Sequence, residues 1–483
     1  MRATTVAVSR RRLTLATGVQ IGARVIGAFL GVLVAASLAR SLTRSEFGEL
    51  SLVLTIAILA GSLTDLGISQ IAVREMARRP ENRARIAGAL SAVQLIMGVV
   101  LGLIGLAIAF ALLKGTQARV MAAFVMATMP LSAFSSLTIA SQARLRPELY
   151  IAPTFVQNVM WLVIVVTLGA TNAPLSLYGV GFFASGIVQA AVTVGLAGRV
   201  TEVSFGGTRA LMFELLRLAW PIGLAGMFVT AYYRIDAILL FHYRGATATA
   251  YYSASYRVLD VLQILPMTVS GVLLPLLASA ERDGADRARV KRLFQLSAVF
   301  LLSVALPVAA CGAVLAPGIV HLIFGPRYHP SIYLLQVLLP AFIPICLGYL
   351  LTSQLILHHL LRPYIVITFL GAAINIPANA LAIPHYGAPA AAWATLGTEL
   401  IVMTCLAAVV RVRLGLSLPG VRTLRCAAAT AITAGVVWLV RSDGLVLGLV
   451  AAAVVYPPLL LASRAISVSE VRGLLTRTTA VNA

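Results

Sequence analysis

Acid is the scarcest chemistry in this sequence: 16 Asp and Glu stand against 37 Lys and Arg in 483 residues, a net charge of +21. Charge of either sign is thin as well, at 11% of residues, where an ordinary soluble chain carries about 25%. That shortage excludes a water-soluble fold of this size, whose surface needs more ionised groups. Cysteine is nearly missing. Cys311, Cys346, Cys405 and Cys426 lie singly in or beside apolar runs, without the spacing of a metal site or redox pair, and read as small core residues. Lysine is reduced to Lys114 and Lys291, a bias of composition before function. Also lacking are Gly/Ser-rich linkers, low-complexity tracts, a Ser/His/Asp arrangement, a phosphate-binding glycine loop and an ATPase domain, so the residues argue against an enzyme. No metal or other cofactor is expected, the adjacent His358 and His359 having no further ligands beside them.

Apolar residues are plentiful, at 60% with a mean hydropathy of +0.95. They fall into fourteen spans, approximately 15–38, 47–71, 86–113, 119–142, 151–170, 176–198, 215–241, 249–277, 293–316, 332–357, 361–383, 387–410, 424–441 and 445–463. About 20 apolar residues cross a hydrocarbon core of ~30 Å as a helix, so the expected fold is all-α and polytopic. Basic residues cluster between the spans, which argues for membrane topology and against nucleic acid as a partner. With the amino terminus inside, the inner loops and termini hold 27 of the 37 cations and the outer loops 7. Both termini are therefore expected in the cytoplasm. Ser9-Arg10-Arg11-Arg12-Leu13 superficially matches a twin-arginine signal, but the apolar run after it reaches Leu38, beyond the ~7–15 residues of a signal core. It reads as an uncleaved first membrane helix.

The chain divides at Thr201 to Arg209, around Phe205-Gly206-Gly207. The expected units are a six-helix lobe over 1–198, a cytoplasmic linker over 199–214, a second six-helix lobe over 215–411, and two further helices with a tail over 412–483. Arg40 with Ser45-Glu46-Phe47-Gly48 has a faint echo in Arg244 with Ala250-Tyr251-Tyr252-Ser253. An even number of spans per lobe makes the lobes parallel repeats, with a central cavity at the seam between them.

Polar residues within the spans carry the functional signal, because charge in hydrocarbon is costly unless it meets water or a partner. Arg24, Arg234 and Arg257 are the cations so placed. For each, the bland reading is snorkelling or a structural ion pair. Asp260, three residues beyond Arg257, is placed to neutralise it. Arg234 and Asp236 are two apart and diverge around a helix, so they do not pair simply. Glu399, in the middle of the twelfth span without a basic neighbour, is either an ion-coupling site or an arginine's partner across the seam. Asp236 is a coupling or counter-charge candidate. Asp65, beside Gly67, is a weaker coupling candidate and a natural turn or cap residue. Asn375, Asn379, Gln142, Gln157, Asn158, Gln189 and Gln263 either hydrate a cleft or bond helix to helix. Pro130, Pro221, Pro266, Pro275, Pro340, Pro344 and Pro377 interrupt spans and permit bends.

Several stretches together resemble a known family. They are Glu46-Phe47-Gly48, Thr64-Asp65-Leu66-Gly67-Ile68 and Val73-Arg74-Glu75-Met76-Ala77-Arg78; Trp220-Pro221-Ile222-Gly223, Arg234-Ile235-Asp236 and Tyr252-Ser253-Ala254-Ser255-Tyr256-Arg257; then Phe324-Gly325-Pro326-Arg327-Tyr328, Asn375-Ile376-Pro377-Ala378-Asn379, and Ile383 through Thr395. In order and spacing they are similar to the polysaccharide flippases of the multidrug/oligosaccharidyl-lipid/polysaccharide exporter superfamily, over residues 15 to 411. The sequence departs at Ala388-Pro389-Ala390, where the family more often has a second glycine.

The resemblance implies alternating access in a bacterial or archaeal cytoplasmic membrane, moving an undecaprenyl-pyrophosphate-linked oligosaccharide from the inner to the outer leaflet. An H+ or Na+ gradient and contacts with other polysaccharide-assembly proteins are implied partners. For such a cargo Arg24, Arg234 and Arg257 are the candidates for the pyrophosphate, since the guanidinium fork binds phosphate oxygens two at a time. Glu399, Asp236 and Asp65 are the coupling candidates, and Asn375, Asn379 and Gln263 the polar cavity candidates. The last two helices would offer a groove for the lipid tail. The rivals are a peptidoglycan-precursor flippase, a cation-coupled multidrug exporter, which should prefer an acidic cavity, and a membrane polysaccharide polymerase or ligase, which should present a larger outer loop.

Overall fold

The computed structural model of the protein describes residues 10–143, 147–197, 203–206, 208–271, 277 and 287–465. Residues 1–9, positions 199–202 and 207 of the linker, Pro275, the basic stretches at 144–146 and 278–286, and the tail at 466–483 lie outside the described residues, as does the side chain of Gln142.

Among the described residues every regular element is helical. In order these are α1 (Arg10–Ser41), α2 (Arg44–Asp65), α3 (Ile68–Arg78), α4 (Arg83–Leu112), α5 (Thr116–Met126), α6 (Ser135–Ala143), α7 (Pro147–Ala170) and α8 (Leu175–Ala197). A helical stretch Thr208–Leu262 follows, which Gly245, at φ 79°, breaks into α9 (208–244) and α10 (246–262). The remainder are α11 (Arg287–Ile323), α12 (Ser331–Leu357), α13 (Leu361–Tyr386), α14 (Ala388–Leu414), α15 (Gly420–Leu439) and α16 (Leu445–Ala462).

Twelve described stretches are long and apolar enough to cross a membrane, against the fourteen spans expected. The difference has two sources. Residues 209–271 count once although Gly245 folds them into two arms. Helix α15 drops out because Arg422 and Arg425 open it, although it packs against α11 and α16. Two expected spans also end early. The second is closed by Leu66 (φ 40°) and Gly67 (φ 72°), after which α3 runs with Ile68, Ile71, Ala72 and Met76 buried and Arg74 and Arg78 exposed. The fourth is split by a 3-10 turn, Met129–Phe134, at Pro130, whose missing N–H cannot continue an α-helix.

Large apolar side chains lie on the outside, as hydrocarbon solvent permits. Along α4, Leu95, Ile96, Val100, Leu103 and Ile104 are exposed while Gly98, Gly102 and Gly105 face neighbours. One core holds α9 to α14, with Phe294, Leu301, Leu338, Phe342, Leu350 and Leu355 at its centre. Another joins α1, α2, α5, α7 and α8 around Leu52, Val53, Met121 and Val165.

The two groups of helices meet where α2 lies along the α9–α10 stretch. At one end Thr43 opens α2 as a capping box, donating its N–H to Glu46 at 2.9 Å and accepting from the Glu46 N–H at 3.3 Å. Gly48 follows, so close to the start of α10 that a Cβ there would sit 1.9 Å from the Ala246 carbonyl oxygen. Arg44 donates to the Tyr251 hydroxyl at 2.7 Å alongside. At the opposite end a Cβ on Gly223 would lie 2.1 Å from the Leu66 carbonyl oxygen, and Arg79 pairs with Glu214 at 3.2 Å. Both ends of the seam are therefore backbone against backbone.

Gly48→Ala is expected to push α2 off α10 and cost about 1–3 kcal/mol, the range for overpacking a filled contact. Gly31→Ala, where an added Cβ meets nothing within 4 Å, serves as the control. Thermal unfolding in detergent reads both, and equal melting temperatures would show that the close approach carries no weight.

Candidate functional site

The divergence of Arg234 and Asp236 around α9 sets up the site. Arg234 turns to α10 and donates to both oxygens of Asp260, at 2.9 and 3.2 Å, with its guanidinium 5.2 Å from the centre of the Tyr256 ring. A two-toothed pair of this kind fixes orientation as well as charge. Asp236 turns the other way and is fully buried; it accepts from the Tyr252 hydroxyl, from the Ala237 N–H at 2.7 Å and, at 3.4 Å, from the Thr395 hydroxyl of α14. Asp260 was expected to neutralise Arg257. Both its oxygens instead face Arg234, which the antiparallel crossing of α9 and α10 brings closer than the local i+3 spacing suggests. Arg257 makes no hydrogen bond or ion pair among the described residues.

The other sequence candidates separate. Arg24 is half-buried on α1 and lines neither of the cavities below. Glu399 is buried on α14, with the phenols of Tyr232 and Tyr233 closest to its carboxylate, and its Oε1 has no hydrogen-bond partner. Among the described residues no arginine pairs with it. Asp65 accepts from the Ser69 hydroxyl in the turn between α2 and α3. Asn375 donates to the Thr398 hydroxyl at 3.0 Å, and Asn379 donates to the Asn375 side chain at 2.9 Å. These two asparagines are fully buried and tie α13 to α14. Gln263 is partly exposed where α10 is interrupted.

Two cavities flank this charge. The larger, about 570 Å³, is walled by α1, α2, the 3-10 turn, α7 and α8, with Arg257 reaching in from α10. The smaller, about 40 Å³, lies between α2 and the α9–α10 pair and is lined by Arg234, Asp236, Arg257 and Asp260. Arg257 thus borders both. Gln157, Asn158 and Gln189, which the sequence leaves between cleft and helix glue, line the larger cavity. Tyr252, Tyr256 and Thr395 were missed as site residues. Their signal was present in the tyrosine-rich run after Gly245 and in the Ala-Trp-Ala-Thr segment, but nothing in a single strand of sequence says that Tyr252 and Thr395 converge on Asp236 and Tyr256 on Arg234.

Comparison with known proteins settles the family. The model of the polysaccharide biosynthesis protein family matches residues 15–281, more than half of the chain. The chain belongs to that family. A family member's fold is also seen in solved transporters. The Lipid II flippase MurJ in an inward closed conformation superposes at a TM-score of 0.75 with 13% identity, covering 92% of this chain and 98% of that one. An inward-facing multidrug resistance MATE transporter of the MOP superfamily gives 0.64 with 12% identity, over 80% and 94%. Among curated proteins, the uncharacterized membrane protein MJ1068 of Methanocaldococcus jannaschii is 28% identical over 181 residues, 36% of this chain and 34% of that protein. The match thus spans about a third of that relative. Family membership and the shared fold make this a multi-pass helical membrane protein of polysaccharide biosynthesis.

Arg234→Ala should leave Asp260 without its ion pair. The side chains are 22% and 20% exposed, so the expected loss is about 2–3 kcal/mol, below the ~3–5 kcal/mol of breaking a fully buried pair. Replacing both by leucine should recover most of it. Thermal unfolding of the single and double variants decides, and a double variant as unstable as the sum of the singles would refute the pairing.

Proposed function

We propose that the protein carries a polyprenyl-diphosphate-linked oligosaccharide from the inner to the outer leaflet of a cytoplasmic membrane, by alternating opening of the two ends of the seam. The observation that carries this reading is Arg257: among the described residues it makes no direct ion pair, its nearest acid Asp260 being held by Arg234, and it borders both the seam and the larger cavity. A pyrophosphate must cross ~30 Å of hydrocarbon, and an unmatched guanidinium beside water offers it two parallel hydrogen bonds. Arg24, half-buried on α1, is assigned the same role. Arg234, whose charge Asp260 already meets, shapes the wall. No carboxylate lines the larger cavity, which disfavours a multidrug exporter of organic cations. A peptidoglycan precursor shares the diphosphate and remains the rival cargo.

Energy coupling is assigned to Glu399, buried and with Oε1 unpartnered among the described residues, ahead of Asp236, whose two oxygens are engaged, and Asp65, which accepts from Ser69 in a turn. The termini are placed in the cytoplasm, and the units 1–198 and 215–411 are taken as the two moving lobes.

The test reconstitutes the protein and follows a labelled lipid-linked oligosaccharide between leaflets, with and without H+ or Na+ gradients. Arg24→Ala and Arg257→Ala should each slow movement by about tenfold or more, the scale of one charge-assisted hydrogen bond, while insertion is unchanged. Wild-type rates in both variants and in their combination would overturn the cationic seam. Glu399→Gln should blunt the response to a gradient; an undiminished response removes it as the coupling group.

A further inference from the structure

We infer that the 570 Å³ chamber among α1, α2, α7 and α8 is the site for the sugar portion of the cargo, an inference that rests on the lipid-linked glycan reading above. Its volume falls within the ~300–1,000 Å³ of pockets that bury a small organic ligand. Most of its wall is apolar, and its polarity is concentrated in a few side chains that hydrocarbon does not tolerate dry. Thr128, Ser132, Thr154, Gln157, Asn158 and Gln189 come to it from three separate elements.

The hydrogen bonds already made tell which valences remain. Thr128 donates to the Val125 carbonyl at 2.6 Å, and Ser132 to that of Gln94 at 3.4 Å. Their protons go to backbone, so their lone pairs are left to accept. Gln189 donates to the Thr154 hydroxyl at 3.4 Å. Gln157 and Asn158 make no hydrogen bond among the described residues, so each amide still offers donors and an acceptor. A sugar ring presents hydroxyls that both give and take, which matches this mixture.

Charge narrows the ligand further. Arg257 is the one ionised side chain among the residues lining the chamber. A neutral polyol attached to an anion fits an uncharged wall carrying hydroxyls and amides with a cation at one edge, whereas a cationic drug does not. Space is left on purpose of the backbone: Gly31 and Gly61 line the chamber, and a Cβ on either meets nothing within 4 Å. Phe134, also on the wall and 41% exposed, offers an aromatic face to the apolar side of a ring.

The experiment uses the full chain in nanodiscs and two probes, undecaprenyl pyrophosphate and undecaprenyl-pyrophosphoryl-chitobiose, with affinity measured for each. The wild type should bind the sugar-bearing lipid about tenfold more tightly, as two neutral hydrogen bonds allow. Gln157→Ala combined with Asn158→Ala should erase that preference while leaving the sugar-free lipid within about twofold. Gly61→Leu, which adds bulk into open space, should do the same by filling the chamber and guards against a folding defect in the first variant. Arg257→Ala should weaken both probes alike. Equal wild-type affinity for the two probes, or a preference that survives both chamber variants, overturns the sugar site alone. Failure of the wild type to bind either probe overturns the glycan reading beneath it.

Discussion

Charge inside hydrocarbon has to be met by opposite charge, by hydrogen bonds or by water, and the helices from α9 to α14 are arranged around that requirement. Arg234 is met by Asp260, Asp236 by Tyr252 and Thr395, and Asn375 by Thr398. These contacts bind α9 to α10, α9 to α14 and α13 to α14, so the same bonds that settle the charges set the helix packing. Against that satisfied background the exceptions stand out. Among the described residues Arg257 makes no direct hydrogen bond or ion pair and Glu399 Oε1 has no hydrogen-bond partner, and in the proposed mechanism they are the groups free to exchange with cargo and ion.

The two sides of the seam differ in chemistry. The helices from α9 onward contribute formal charge and phenols; those before α9 contribute hydroxyls, amides and bare glycine backbone. A cargo with a doubly charged headgroup and an uncharged glycan has the same division along its length. Arg257 crosses from one side to border the cavity of the other, which gives the charged and uncharged parts neighbouring environments.

Helices were the legible part of the sequence, because a membrane span announces itself by length and by the arginines that flank it. The places where that reading failed are local. Leu66-Gly67 and Pro130 end helices inside apolar runs, and hydropathy averages over them. Pairing was less legible. Asp260 lies one turn from Arg257 in sequence, yet its partner is Arg234 on the antiparallel arm, a contact that depends on where Gly245 folds the chain. The chamber was legible only in pieces: Gln157 and Asn158 sit on α7 and Gln189 on α8, and their shared wall exists only once those helices are side by side. Several motif residues that mark the family turned out to be steric rather than chemical, Gly48 and Gly223 among them.

Arg244 has a mechanical consequence. It closes α9 by donating to the Ile383 carbonyl at 3.2 Å and to those of Pro384 and His385, each at 2.7 Å. One guanidinium thus staples the reversal at Gly245 to the last turn of α13, and the reversal travels with that helix. Any parting at this end of the molecule runs between Gly48 and Ala246, leaving the stapled corner intact. In the proposed cycle, the gate at this end is one helix lifting from a fixed sill.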